Sequence, residues 1–196
     1  MSYSIDTIAE DCYEGTSCLI NKLGIKDDKR LKAFEAAITL AKASELEANP
    51  IAGGFDTVHY KAIHKYLFED IYEWAGEYRT VNMSKRGTSF ADADKIAALM
   101  EACFKRLHDK DYFRNCAFDE WIENIVDFYQ VTNTIHPFRE GNGRTQRLFI
   151  TQLIRYNGYD IDFSKVDTDA LMIATIQAAN GVKDNLIKIF SESIVK

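Results

Sequence analysis

The chain has 196 residues, 46% of them hydrophobic and 28% charged, with a formal net charge of −6; this is ordinary for a globular protein and enough for one domain with a sizeable core. The acidic balance and the lack of a basic run argue against direct nucleic-acid binding, and no apolar run approaches the roughly 18 residues of a membrane helix. Four scattered cysteines (Cys12, Cys18, Cys103, Cys116) without a Cys-x-x-Cys pair, and eleven opening residues without an apolar leader, predict a reducing cytoplasm in which the thiols act as small buried or half-buried hydrophobes.

A 3.6-residue apolar period predicts a first helix over 28–48, with Leu31, Phe34, Ile38 and Ala41 on one stripe. A second is expected over 56–75, with Asp56 as N-cap and Gly76 as C-cap. Three more follow over 92–108, 118–135 and 142–156, and two close the chain near 168–179 and 183–194. Pro50 and Pro137, the only prolines, each fall where a helical pattern ends. The exception is 78–90, where β-branched and aromatic residues flank a Lys85-Arg86-Gly87 turn. That pattern fits a short hairpin with edges open to an incoming strand, and equally a plain connecting loop. No repeat or long linker divides the chain.

Residues 136–144 read His-Pro-Phe-Arg-Glu-Gly-Asn-Gly-Arg, and the helical pattern of Leu148, Phe149, Leu153 and Ile154 follows, with Arg147 one turn beyond Arg144. A helix start preceded by glycines offers unpaired N–H groups and a positive dipole end, which together attract anions. His136 has the chemistry to take a proton from a Tyr, Thr or Ser hydroxyl. Glu140 is a single carboxylate beside phosphate ligands, the usual way to hold Mg²⁺, and also an acid favoured at a helix start. Gly141 and Gly143 permit torsions and close approach that a Cβ forbids. Asn142 is suited either to capping the helix or to bonding a phosphate oxygen. Arg144 and Arg147, three apart, share a helix face, and their forks suit phosphate oxygens. Phe138 is an apolar anchor between polar neighbours, and Asn133 stands three residues before His136, where it can orient the base or touch a nucleotide.

Every fixed position of this segment, Arg147 included, matches the signature of Fic-domain proteins: His-Pro-Phe-x-Asp/Glu-Gly-Asn-Gly-Arg-x-x-Arg. The resemblance implies an all-α Fic fold, a helical bundle of about seven to eight helices with one short β-hairpin flap near residues 78–90. It implies one domain over 1–196, with its core at about 56–160. It further implies a protein adenylyltransferase that moves AMP from ATP, with Mg²⁺, onto a hydroxyl of another protein. By the same resemblance His136 is the general base and Glu140 the metal ligand. Lys85, Gly87, Asn133, Arg139, Gly141, Asn142, Gly143, Arg144, Thr145 and Arg147 are then the nucleotide-binding residues, and the flap aligns the target segment by strand pairing.

The opening Tyr13-Glu14-Gly15-Thr16 and Asn21-Lys22-Leu23-Gly24-Ile25, with His64-x-x-Leu67-Phe68-x-Asp70-x-Tyr72-x-Trp74-Ala75-Gly76, resembles bacterial FicT-type toxins and their effector relatives. Many Fic proteins carry an inhibitory helix, Ser/Thr-x-x-x-Glu-Gly/Asn, whose Glu pairs with the second motif arginine. Here Glu precedes Gly or Asn only at Glu14, Glu123 and Glu140, and Glu10, Asp119 and His136 stand four residues before them. The resemblance is therefore to the class whose inhibitory Glu comes from a separate small antitoxin that neutralises Arg147. For that branch it implies, as target, the ATPase subunit of DNA gyrase or topoisomerase IV. The residues alone leave room for a non-catalytic nucleotide sensor, for an interaction module, and for a Fic enzyme using another donor (a phosphotransferase or phosphocholine transferase).

Overall fold

A computed structural model describes residues 4–5, 11–85 and 88–196. Among them are seven α-helices: α1 (Asp28–Ala48), α2 (Thr57–Phe68), α3 (Ile96–Asp109), α4 (Phe118–Ile135), α5 (Asn142–Tyr156), α6 (Thr168–Ala179) and α7 (Asp184–Ser193). Local capping sets several of the starts. Asp27 accepts from Arg30 N, Asp56 from His59 N, and Asp167 from Asp169 N and Ala170 N, each satisfying donors that the first helical turn leaves open. No helix among the described residues is long and apolar enough to cross a membrane.

Helices α2, α4 and α5 meet around Phe149, Ile63, Leu67, Ile125, Val126 and Leu153, all at or near zero exposure. Each such side chain contributes roughly 2 kcal/mol by leaving water. Helix α3 covers α4, α1 lies across α2 and α5, and α6 and α7 pack on α4. The site is built at the junction of α4 and α5, the best-buried part of this frame.

Three expectations are corrected. Helix α2 stops at Phe68 instead of running to residue 75; beyond it the chain continues in turns, with Ile71 N bonded to Phe68 O and Ala75 N to Tyr72 O, and Ile71, Tyr72 and Ala75 remain buried. Gly76, at φ +86, is a turn residue beyond that segment. On α1 the expected stripe holds at Leu31, which is buried, and Ile38, which packs half-buried on the core, but Phe34 is 45% exposed and Ala41 is on the surface; Glu35, Thr39 and Leu46 are the other inward positions.

The third correction concerns the strands. The hairpin exists, as β2 (Met83–Lys85) and β3 (Thr88–Ser89), antiparallel. However, β1 (Ser4–Ile5) pairs with the other edge of β2, in the register Ser4 with Ser84 and Ile5 with Met83. The flap is therefore a three-stranded sheet of order β1-β2-β3. A second small pair, β4 (Asp160–Ile161) with β5 (Ile194–Val195), ties the chain's last residues to the end of α5.

Candidate active site

Helix α4 ends where His136 enters the left-handed region (φ 51, ψ 62), its N–H still bonded to Thr132 O at 3.1 Å. Pro137 has no N–H to continue the helix. The turn is held from below by Arg79, 4% exposed. Its Nε donates to His136 O at 2.9 Å and its Nη2 to Ile135 O at 3.2 Å; Nη1 and Nη2 also reach Val81 O and Ala91 O, both at 2.6 Å. Its backbone N–H donates to Pro137 O at 2.9 Å. One buried guanidinium therefore joins the end of α4 to both roots of the hairpin. Burial lowers its pKa, and no carboxylate among the described residues accepts from it.

Phe138 is the expected anchor, fully buried and stacked on His64 at 3.7 Å between centroids and on Tyr60 at 5.7 Å. His64 Nδ1 accepts from Gly76 N at 2.8 Å, so Nε2 carries the proton and donates to Glu140 O at 3.0 Å. Burial brings the His64 pKa down to about 3, which keeps one neutral tautomer in place. Asn142 closes the loop on itself: Oδ1 accepts from Phe138 N at 2.8 Å and Nδ2 donates to Phe138 O at 2.7 Å. Gly141 sits at φ +80, and a Cβ there would lie 2.1 Å from Phe68 Cζ. No other residue fits that position. The first helical bond of α5 runs from Thr145 N to Gly141 O, so the N–H groups of Asn142, Gly143 and Arg144 come before it and form the anion-attracting end of the helix.

Lys85, Asn133, His136, Gly143 and Arg147 line one pocket of about 280 Å³, with Leu171, Met172 and Ile176 of α6 as an apolar wall. Phe90 stacks on the His136 ring at 3.9 Å and 8°. Burial, then the charges of Lys85 and Arg79, lower the His136 pKa to about 3 against a backbone hydrogen bond at Asn133. The ring is therefore neutral at physiological pH and able to accept a proton, below the near-neutral range of an imidazole in water. Arg147 is half-buried, and burial and the nearby Arg144 charge lower its pKa. Among the described residues no acceptor takes a hydrogen bond or ion pair from its guanidinium.

Glu140 Oε1 accepts from Gly141 N at 2.8 Å and from Arg144 Nη2 at 3.2 Å, and Oε2 takes no hydrogen bond from the described residues. No cluster of three His, Cys, Asp or Glu able to hold a metal occurs among those residues. A Mg²⁺ ion here would depend on one carboxylate oxygen, nucleotide oxygens and water; Glu140 fits that arrangement. Arg144 reaches Thr39 and Glu35 as well as Glu140.

The other expected residues stand apart from the pocket. Arg139 is buried and paired with Asp11, Nε to Oδ2 at 2.5 Å. Thr145 is fully buried in α5, and the Asn142 side chain is spent on closing the loop. Gly87 lies outside the described residues. Sequence reasoning missed the roles of Arg79, His64, Glu35 and Thr39, whose partners at the loop and the start of α5 lie 57, 76, 109 and 105 positions away.

The Fic/DOC family profile matches residues 54–154. The protein adenylyltransferase VbhT of Bartonella schoenbuchensis is 38% identical over 169 residues, which is 86% of this chain and 35% of that protein. The chain thus spans about a third of VbhT. The probable protein adenylyltransferase y4lH of Sinorhizobium fredii is 36% identical over 171 residues, 87% of this chain and 88% of that protein. Among solved structures, the BepC protein of Bartonella tribocorum, a VirB-translocated effector with bound AMPPNP, superposes with a TM-score of 0.85 at 28% identity, covering 94% of this chain and 95% of that one.

Proposed function

Because the chain belongs to the Fic/DOC family, we propose that it is a protein adenylyltransferase that moves AMP from ATP to a Tyr, Thr or Ser hydroxyl of a target protein. One observation carries the reading: a neutral His136 and an Arg147 without an acceptor among the described residues face the same pocket beside the start of α5. A solved relative with bound AMPPNP supports ATP as the donor. In the transfer, the target's hydroxyl oxygen attacks the α-phosphorus and its proton passes to His136. The bond to the bridging oxygen breaks and pyrophosphate leaves, its charge met by Arg147, Arg144 and the N–H groups opening α5. Mg²⁺ held through Glu140 would add charge neutralisation between the phosphates. Asn133 and Lys85, on the same pocket wall, contact the nucleotide.

The finer reading is a toxin acting in the bacterial cytoplasm on the ATPase subunit of gyrase or topoisomerase IV. The incoming target segment adds to the flap; since β1 already pairs with β2, the outer edge of β3 is the available one. A small antitoxin would oppose this by placing a Glu on Arg147. A second groove of about 480 Å³ supports that partner, with Ala36, Leu40 and Ala43 of α1 on one side and Arg144 and Arg147 in its wall. Leu40 is 70% exposed there, and the combination suits an apolar helix face bearing an acid.

The test is incubation with α-labelled ATP, Mg²⁺ and the purified gyrase ATPase subunit or a bacterial lysate, beside His136→Ala. Label on a protein, lost in the variant while ATP binding persists, is the expected result. Absence of label on every protein despite ATP binding would rule out AMP transfer.

A further inference from the structure

Helix α1 buries a carboxylate that its own helix gives no reason to bury. Glu35 Oε1 accepts from Arg144 Nη2 at 2.6 Å, and Oε2 accepts from the Tyr72 hydroxyl at 2.5 Å. One turn on, Thr39 Oγ1 accepts from Arg144 Nη1 at 3.1 Å while donating to Glu35 O at 2.7 Å. The guanidinium plane rests over the Phe68 ring, 4.8 Å from its centroid. The second proton of Nη2 goes to Glu140 Oε1, at the longer distance of 3.2 Å. Arg144 is thus shared between two carboxylates, and the shorter contact is to Glu35.

We propose that Glu35 is a positioning residue that holds Arg144 off Glu140, so that Glu140 keeps an oxygen for a divalent cation and Arg144 keeps N–H groups for a phosphate. Glu140 and Arg144 are four residues apart at a helix start, a spacing that favours a closed pair. A bidentate fork would occupy both Glu140 oxygens. With Glu35 present, one positive charge lies between two negative ones and a net negative charge remains to draw the cation. With a neutral side chain at residue 35 the trio becomes a duo of zero net charge. Tyr72 and Thr39 complete the device by fixing the carboxylate's rotation and the other end of the fork.

This inference rests on the adenylyltransferase reading, and the experiment separates the two. Mg²⁺ is titrated against a fixed amount of a non-hydrolysable ATP analogue, with binding read by calorimetry, for the parent chain and for Glu35→Gln. The parent chain should bind the analogue in a Mg²⁺-dependent way; if it does not, the functional proposal fails before Glu35 is tested. In Glu35→Gln the Mg²⁺ half-saturation should rise about tenfold, the effect of one charged hydrogen bond lost at a partly buried site. A half-saturation within about twofold of the parent's, in a variant that melts cooperatively, overturns the role. If Glu35→Gln does not fold, Tyr72→Phe carries the test. It keeps the charge but frees the carboxylate to rotate, and should raise the half-saturation about threefold; no change refutes the proposal.

Discussion

Acid should unfold this protein partly through His136, by an amount that can be isolated. Its ordinary pKa of 6.5 falls to about 3 in the folded chain, with burial as the leading cause. Above 6.5 the ring is neutral in both states and contributes nothing to the pH dependence. Between those values the unfolded chain binds a proton that the folded chain refuses, so stability is lost as pH falls from 6.5 toward 3. At about pH 4.5, some two units into that window and about 1.4 kcal/mol per unit, the loss from His136 alone is about 2.7 kcal/mol. Urea unfolding of the parent chain and His136→Ala at about pH 7 and about pH 4.5 measures it as a double difference. His64, also brought to about 3 by burial, is present in both proteins and cancels. The parent should lose about 2 to 3 kcal/mol more than the variant. Equal losses would mean that the ring titrates near its ordinary value and is not held neutral by its surroundings.

Three further substitutions test the frame. Gly141→Ala drives a methyl group into the Phe68 ring from a left-handed backbone and should cost about 2–4 kcal/mol in urea unfolding; a loss under about 1 kcal/mol would mean the ring is not packed there. Arg79→Met leaves the carbonyls of Val81, Ala91, Ile135 and His136 without their donor. It should cost about 3 kcal/mol or more and open residues 78–92 to protease, and an unchanged cleavage pattern would contradict the tie. Arg147→Ala should weaken binding of an ATP analogue about 30- to 100-fold in calorimetry. Its melting temperature should hold or rise, since a half-buried cation without an acceptor among the described residues is removed; a large fall in melting temperature would show Arg147 to be structural.

The parts readable from sequence are those with local causes. The boundaries of α1, α4, α5 and α6 follow from periodicity and from side chains acting within a turn or two, such as Asp27 and Asp167. The 136–147 loop was readable because its parts are contiguous. Apart from the early end of α2, the failures involve distant partners. The expected apolar stripe on α1 is only half kept, and the polar Glu35 and Thr39 also turn inward, because their partner Arg144 lies on α5, more than a hundred positions along the chain. Arg79 looked like part of a hairpin, and only the folded chain brings it under the end of α4. His64 entered only as part of a segment of family resemblance; its task of fixing the Glu140 carbonyl spans 76 positions. Nothing in the 78–90 pattern announces that Ser4 and Ile5 pair with the flap.

The carbonyls of Ile135, His136, Pro137, Phe138 and Glu140 are each taken by a fixed donor: Arg79, the Arg79 backbone, Asn142 or His64. Such a loop has little conformational freedom left to surrender when an anion arrives, and association loses little entropy to ordering it. Recognition becomes a matter of matching charge and shape to a mould that is already set. Substitutions in its outer supports should then change the rate at which a nucleotide leaves more than the rate at which it enters.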